Sequence, residues 1–290
     1  MTASRFQVHA IRYAHRDGVS PHEVFCRPEA ADGSRAMAYY IWLITAEDGA
    51  AYLFDTGFGH EVAAQRGRTD VLLGDPTQAL AALGAPAERI RHVLLSHLHF
   101  DHAGELDRFP AATFWIQRRE TAFWTGPHAS RPSFRHVVMP EDITAVVRLN
   151  LEGRVRFTEG DEAIAPGLSL HLIGGHTAGL QALRIETAAG PVVLASDATH
   201  YYANLDTDRP YSAHDSLSGV HAGFDRLREL AGPDGVIVPG HDPLVMERFP
   251  GVPGLEDQVV EISAGHIGPG HTGGAVTAAA TTHRTKEVTP

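Results

Sequence analysis

The sequence predicts a layered α/β protein whose functional groups gather along one sheet edge. Short apolar runs rich in β-branched residues alternate with segments of helical periodicity. Four of those runs end within a few residues of a histidine or aspartate, namely His97, His176, Asp197 and His241. In a layered α/β fold such strand exits collect on one edge, where ligand sites form. Residues 97–102, His-Leu-His-Phe-Asp-His, add three imidazoles and a carboxylate within six positions.

Composition narrows the function. A chain of 290 residues with 43% hydrophobic content can build a sizeable core. The formal charge of −11, from 24 basic and 35 acidic side chains, argues against a nucleic-acid partner. Cys26 is the single cysteine, so neither an intramolecular disulfide nor a cysteine-rich metal site can form. Residues 1–18 interrupt their apolar pieces with Arg5, Arg12, Arg16 and Asp17 and read as carrying no signal peptide. No apolar run approaches the roughly 20 residues of a bilayer span. The expectation is a soluble cytoplasmic protein with no membrane partner, compatible with a homodimer.

In chain order, residues 6–13 (FQVHAIRY) alternate as a strand. Residues 38–45 and 51–54 form two apolar runs joined by Glu47-Asp48-Gly49, a hairpin signal. The hairpin ends in Asp55-Thr56-Gly57, where Asp55 taken alone reads as a turn or helix cap. Asp75-Pro76-Thr77 caps a helix over 78–83 that Gly84 and Pro86 stop. Residues 90–95 form a buried strand delivering His97, and a short helix after the motif closes at Phe109-Pro110. A strand over 113–116 and a helix over 118–124 follow. Residues 126–140, rich in Pro, Ser, His and aromatics without periodicity, read as a loop or lid. Strands are predicted at 154–157, 168–173, 180–185, 191–195 and 236–238, and a helix at 217–231 on the spacing of Leu217, Val220, Phe224, Leu227 and Leu230. From 268 the composition shifts to Gly, Thr and Ala. One domain over 1–267 with a flexible tail over 268–290 is therefore expected.

Imidazole and carboxylate are the ligands of borderline divalent metals. His97 and His99, two apart, point the same way in an extended chain and can share one ion. Asp101 and His102, at the turn into a helix, can reach a second.

Together these motifs resemble the metallo-β-lactamase superfamily. They are H-x-H-x-D-H at 97–102, Gly-Gly-His-Thr-Ala-Gly at 174–179, the strand-end Asp197 and the late Gly240-His241, with Leu-Phe-Asp-Thr-Gly at 53–57 as the early strand-turn element. The resemblance spans residues 6–265 in motif order. It implies a four-layer αβ/βα sandwich with a dinuclear site at one sheet edge. His97, His99 and His176 would hold one divalent ion, Asp101, His102 and His241 the other, and Asp197 would bridge them. Asp55 would orient a ligand imidazole. Two zinc ions are the first expectation, with Mn, Fe or Co compatible.

Within that superfamily, His176-Thr177-Ala178-Gly179-Leu180-Gln181 and Ser196-Asp197-Ala198 are most similar to the N-acyl-homoserine lactonase group. Members usually carry a tyrosine shortly after the bridging aspartate, contacting the lactone. Here that spacing falls on His200, with Tyr201 and Tyr202 directly behind. The implied reaction is lactone opening by a hydroxide shared between the ions. One of His200, Tyr201 and Tyr202 would act as donor to the oxyanion, and Asp101 as proton shuttle. Phe123, Trp124 and Phe134 are weaker expectations for an acyl-chain pocket. The alternatives are a thioester hydrolase of the glyoxalase II type, whose C-terminal helical domain has no counterpart here, and a β-lactam hydrolase, against which Asp197 in place of a cysteine weighs.

Overall fold

The computed structural model describes residues 5–266. The expected tail at 268–290 lies outside the described residues. Among the described residues, twelve strands form two sheets. They are β1 (Phe6–Val19), β2 (Arg35–Ala46), β3 (Ala51–Phe54), β4 (His92–Leu94), β5 (Thr113–Gln117), β6 (Val155–Thr158), β7 (Glu162–Ala165), β8 (Leu168–Leu172), β9 (Gln181–Thr187), β10 (Gly190–Ser196), β11 (Val236–Pro239) and β12 (Val259–Glu261). The larger sheet runs β12-β1-β2-β3-β4-β5-β6 and the smaller β11-β10-β9-β8-β7.

Alternation along β2 shows how the layers are built. Tyr40, Trp42 and Ile44 point between the sheets, where they meet Leu170, Leu183, Ile185, Val192 and Leu194 of the smaller one. Tyr39, Ile41 and Leu43 point the other way, into a second core closed by Leu80 of the helix Pro76–Ala82 and by Val146 and Leu149 of the helix Pro140–Leu151. On the far side, Leu227 and Leu230 of the helix Leu217–Ala231 cover Val193 and Ala195 of β10. The result is helix, sheet, sheet, helix: the four-layer αβ/βα sandwich. Strands buried on both faces have no polar side, so β2 and β10 read as continuous apolar runs.

Strand direction places the site. β3, β4, β5 and β6 run parallel to one another, and so do β10 and β11. β8 shares the direction of β10, because β9 is antiparallel to both. The exits of β3, β4, β8, β10 and β11 carry Asp55, His97, His176, Asp197 and His241, which meet on one rim of the two sheets. Beneath this rim Gln181 ties the sheets together: its N–H donates to the Ser96 carbonyl at 3.0 Å and its amide nitrogen to the Leu95 carbonyl at 2.7 Å.

Some expectations change. The first strand continues to Val19 through two register shifts. The stretch after β4 is a loop and a single turn, with His102 and Ala103 N–H both on the His99 carbonyl, and only a 3-10 turn, Leu106–Arg108, precedes Phe109. The segment 126–140 contains the short helix Pro132–Arg135. No helix among the described residues is long and apolar enough to cross a membrane.

Trp42 is fully buried between the sheets. Trp42→Ala should therefore lower the unfolding free energy by about 3–5 kcal/mol in urea titrations. A loss below about 1 kcal/mol would show that the two sheets do not depend on this contact.

Candidate metal centre

Asp197 sits at the middle of the rim, 3% exposed, and its two oxygens face two different histidine sets. Oδ2 lies 3.2 Å from His176 Nε2 and 3.9 Å from His97 Nε2. Oδ1 lies 3.3 Å from His102 Nε2 and 3.1 Å from His241 Nε2. On the first side His99 Nδ1 closes to 2.9 Å of His176 Nε2. On the second, Asp101 Oδ2 stands 3.8 Å from His102 Nε2 and 3.6 Å from His241 Nε2. Three groups follow, each with its ligand atoms mutually within 4.8 Å: His97, His99 and His176 with Asp197, then Asp101, His102 and His241, and, overlapping both, Asp197, His200 and His241. The structure thus brings all seven sequence-predicted ligating side chains together.

Proton bookkeeping tests whether this set fits divalent cations. His241 Nδ1 donates to the Ala38 carbonyl at 2.8 Å, and His176 Nδ1 to the Ala213 carbonyl at 2.6 Å. His102 Nδ1 donates to Asp55 Oδ2 at 2.8 Å. The Ser96 hydroxyl gives its only proton to Asp55 Oδ2 at 2.8 Å, so at 2.9 Å from His97 Nδ1 it must accept. In these four rings the outer nitrogen holds the proton, and Nε2 is left as a lone pair pointing inward. His97 Nε2, His102 Nε2 and Asp197 Oδ1 are buried without hydrogen-bond partners. Converging buried acceptors with no donor between them are stable only around cations, so the residues fit two divalent ions.

The electrostatics agree. Burial, reinforced by neighbouring imidazoles, pushes His97 and His99 well below the ordinary histidine value, keeping them neutral. Burial raises the Asp197 carboxyl, but His241, His102, His200 and His176 outweigh it and hold the group well below the usual carboxylate range. His102 and His241 go the other way without a cation: burial is outweighed by Asp197 and Asp101, joined at His102 by Asp55, so both are raised, and a divalent cation facing those carboxylates would take the place of the extra proton.

The supports are specific. Asp55 also accepts the Ser96 N–H at 2.7 Å, so one buried carboxylate orients His102 directly and His97 through Ser96. Gly240 permits close approach: a Cβ there would lie 2.6 Å from Asp197 Oδ1. Glu120, which the sequence reading did not single out, is fully buried and ties the two ligand-bearing loops together. Its Oε1 accepts from Leu98 N–H at 3.0 Å and Trp124 Nε1 at 2.7 Å, and its Oε2 from the Thr177 hydroxyl at 2.7 Å and Gly179 N–H at 2.9 Å. Burial pushes its carboxyl up while these donors pull it back.

Above the centre is a cavity of about 380 Å³. Phe123, Trp124 and Phe134 line it, as do Asp101 and His200. His200 is stacked on Tyr211 at 3.9 Å between ring centroids, with Nε2 3.1 Å from Asp197 Oδ2. Burial lowers its pKa to about 4 against the pull of Asp197. Tyr201 and Tyr202 correct the sequence expectation, because neither lines the cavity. Tyr201 starts the turn into the helix Tyr202–Asp206, which swings its ring into the outer core and that of Tyr202 into the inter-sheet core beneath Arg248. The phenol that does line the cavity is Tyr39 of β2, edge-on to His241 at 5.1 Å. Burial and Asp101 push its pKa up to about 12, so it is a neutral donor. Its signal in sequence was only the alternation that sets it opposite Tyr40.

Glu120→Gln sets an amide N–H₂ against two of these four donors whichever way the amide is turned. Metal affinity should fall about 10- to 100-fold, read by competition with a chromophoric chelator. Unchanged affinity would show that Glu120 only stabilises the fold.

The comparisons agree with this geometry. The family model of the metallo-beta-lactamase superfamily matches residues 35–241. An N-acyl homoserine lactonase of Bacillus sp. is 32% identical over 165 residues, covering 56% of this chain and 60% of that protein. The N-acyl homoserine lactonase AiiB of Agrobacterium fabrum is 31% identical over 209 residues, covering 64% and 70%. Thus this chain spans less than two thirds of the Bacillus relative's length. Among solved structures, a quorum-quenching N-acyl homoserine lactone lactonase superposes with a TM-score of 0.66 at 24% identity, over 84% of this chain and 94% of that one. A probable metal-dependent hydrolase from Staphylococcus aureus gives 0.70 at 15% identity, over 91% and 94%. With the model covering well over half of its length, the chain belongs to the metallo-beta-lactamase superfamily.

Proposed function

We propose that this chain is a dinuclear metal-dependent hydrolase that opens the ring of a small lactone, of the N-acyl homoserine lactone type or a close relative. The observation carrying this reading is the split of Asp197, one oxygen toward each of two histidine sets. The lactonases among its relatives supply the substrate class. Zinc is the first choice of metal, since the ligands are imidazoles and carboxylates without thiolate.

His97, His99 and His176 would hold one ion and Asp101, His102 and His241 the other, with Asp197 shared between them. Two ions held there would supply an activated water near neutral pH and would polarise an ester carbonyl. The protein does the rest. His200 from the loop after β10 and Tyr39 from within β2 both reach the cavity and offer polar atoms to the carbonyl oxygen as its charge develops. Tyr39 donates its phenolic proton. Asp101 lines the cavity and carries a proton from the attacking water to the departing ring oxygen. Phe123, Trp124 and Phe134 form an apolar wall for the acyl chain. No side chain of the site needs to act as a nucleophile.

A pH-indicator assay of the metal-replete protein against lactones, thioesters and β-lactams tests the reading. Lactone turnover should exceed both others. Thioester turnover without lactone turnover would replace it with the glyoxalase II alternative.

A further inference from the structure

One wall of the cavity is cationic, and ring opening of a neutral lactone makes no use of it. Arg16, Arg66 and Arg68 line this wall. Arg16 is neutralised by Glu23, whose Oε2 accepts from its Nη2 at 2.7 Å. Among the described side chains, neither Arg66 nor Arg68 has a carboxylate within 4.0 Å. Arg66 Nη2 donates instead to the His136 carbonyl at 2.8 Å, and its guanidinium lies over the Phe100 ring, 3.6 Å from the centroid. The Arg68 guanidinium approaches the same centroid at 5.6 Å, and its Nη1 donates to the Tyr39 hydroxyl at 3.4 Å.

Elsewhere on this acidic chain several partly buried guanidiniums find counter-ions, Arg108 with Asp75 at 2.6 Å, Arg184 with Glu186 at 2.7 Å and Arg209 with Asp32 at 2.5 Å, whereas Arg12 donates to the Asp257 carbonyl and Arg248 lies over the Tyr202 ring, each standing singly and away from the cavity. Arg66 and Arg68 are half-buried, share one aromatic ring and face one cavity. Burial and the Arg68 charge lower the Arg66 pKa from its ordinary value, with Asp101 opposing. Like charges placed together and partly desolvated cost stability unless an anion is supplied from outside. Planar guanidinium forks match a carboxylate in particular.

We propose that the natural substrate carries a carboxylate on its acyl side, which docks at Arg66 and Arg68 while the scissile ester lies at the histidine centre. The proposal rests on the lactone reading and narrows it. A simple N-acyl homoserine lactone is neutral and leaves both guanidiniums unmatched. An acyl chain ending in a carboxylate fills the apolar wall of Phe123, Trp124 and Phe134 with its methylenes and matches the cations with its end.

The test compares N-hexanoyl homoserine lactone with the same lactone whose acyl chain ends in a carboxylate, using the metal-loaded full chain. The wild type should favour the carboxylated compound in kcat/KM by about tenfold or more. That ratio should shrink with ionic strength and fall to about one in Arg68→Met and Arg66→Met. A wild-type ratio of one or less, or a ratio unchanged in both variants, would overturn the proposal. Arg66 also holds the 126–140 segment through the His136 carbonyl, so if its variant misfolds, Arg68→Met decides alone. If neither lactone turns over, the lactone reading fails, and calorimetric titration with the two ring-opened products still decides the anion site. Tighter binding of the dicarboxylate upholds it, and equal binding overturns it.

Discussion

The structure depends on one buried carboxylate. Asp197 is almost sealed from water, and imidazole nitrogens of His102, His176, His200 and His241 stand within 3.3 Å of it. Neither a buried anion nor a ring of inward lone pairs is stable in isolation. Cations between them satisfy both at once, so metal binding and folding of this rim are linked. The surrounding architecture supplies fixed positions. Backbone carbonyls of Ala38 and Ala213, and the Asp55 carboxylate, decide which nitrogen of each ring faces inward.

Fixing those positions costs backbone strain. Asp55 and Ser196 adopt left-handed conformations, with φ of 63° and 45°, at the ends of β3 and β10. For residues with a Cβ each such position costs on the order of 1–3 kcal/mol. Both are held by the polar cluster they belong to: the Ser196 hydroxyl donates to Ser96 Oγ at 2.9 Å, and Ser96 in turn to Asp55. Strain therefore sits where strand exits must turn sharply to aim a ligand, as at other functional sites.

Much of this was legible in sequence because it is written in local patterns. Long apolar strands buried on both faces and the amphipathic helix Leu217–Ala231 announce themselves by composition and period. The ligands stand at fixed short offsets from strand ends, so His97, His176, Asp197 and His241 could be placed before any contact was known. What stayed hidden is set by tertiary packing. β7 and β12, with four and three residues, are too short to carry a period, and pairing alone defines them. Glu120 looks like any helix-surface glutamate until Leu98, Trp124, Thr177 and Gly179 converge on it. The spacing from Asp197 falls on His200, and Tyr201 and Tyr202 directly behind it were the candidate phenols, but a helix start turns both rings away. Tyr39 takes the place beside the site from a strand 158 positions earlier than Asp197, a relation no local motif encodes.

The central claim is that seven side chains from four strand exits hold two ions with Asp197 between them. Anomalous diffraction from crystals of the zinc-loaded protein, recorded at the metal absorption edge, measures this directly. Two peaks per chain are predicted, one among His97, His99 and His176 and one among Asp101, His102 and His241, with the Asp197 carboxylate reaching both. A single peak, or a second peak away from Asp101, His102 and His241, would contradict the account.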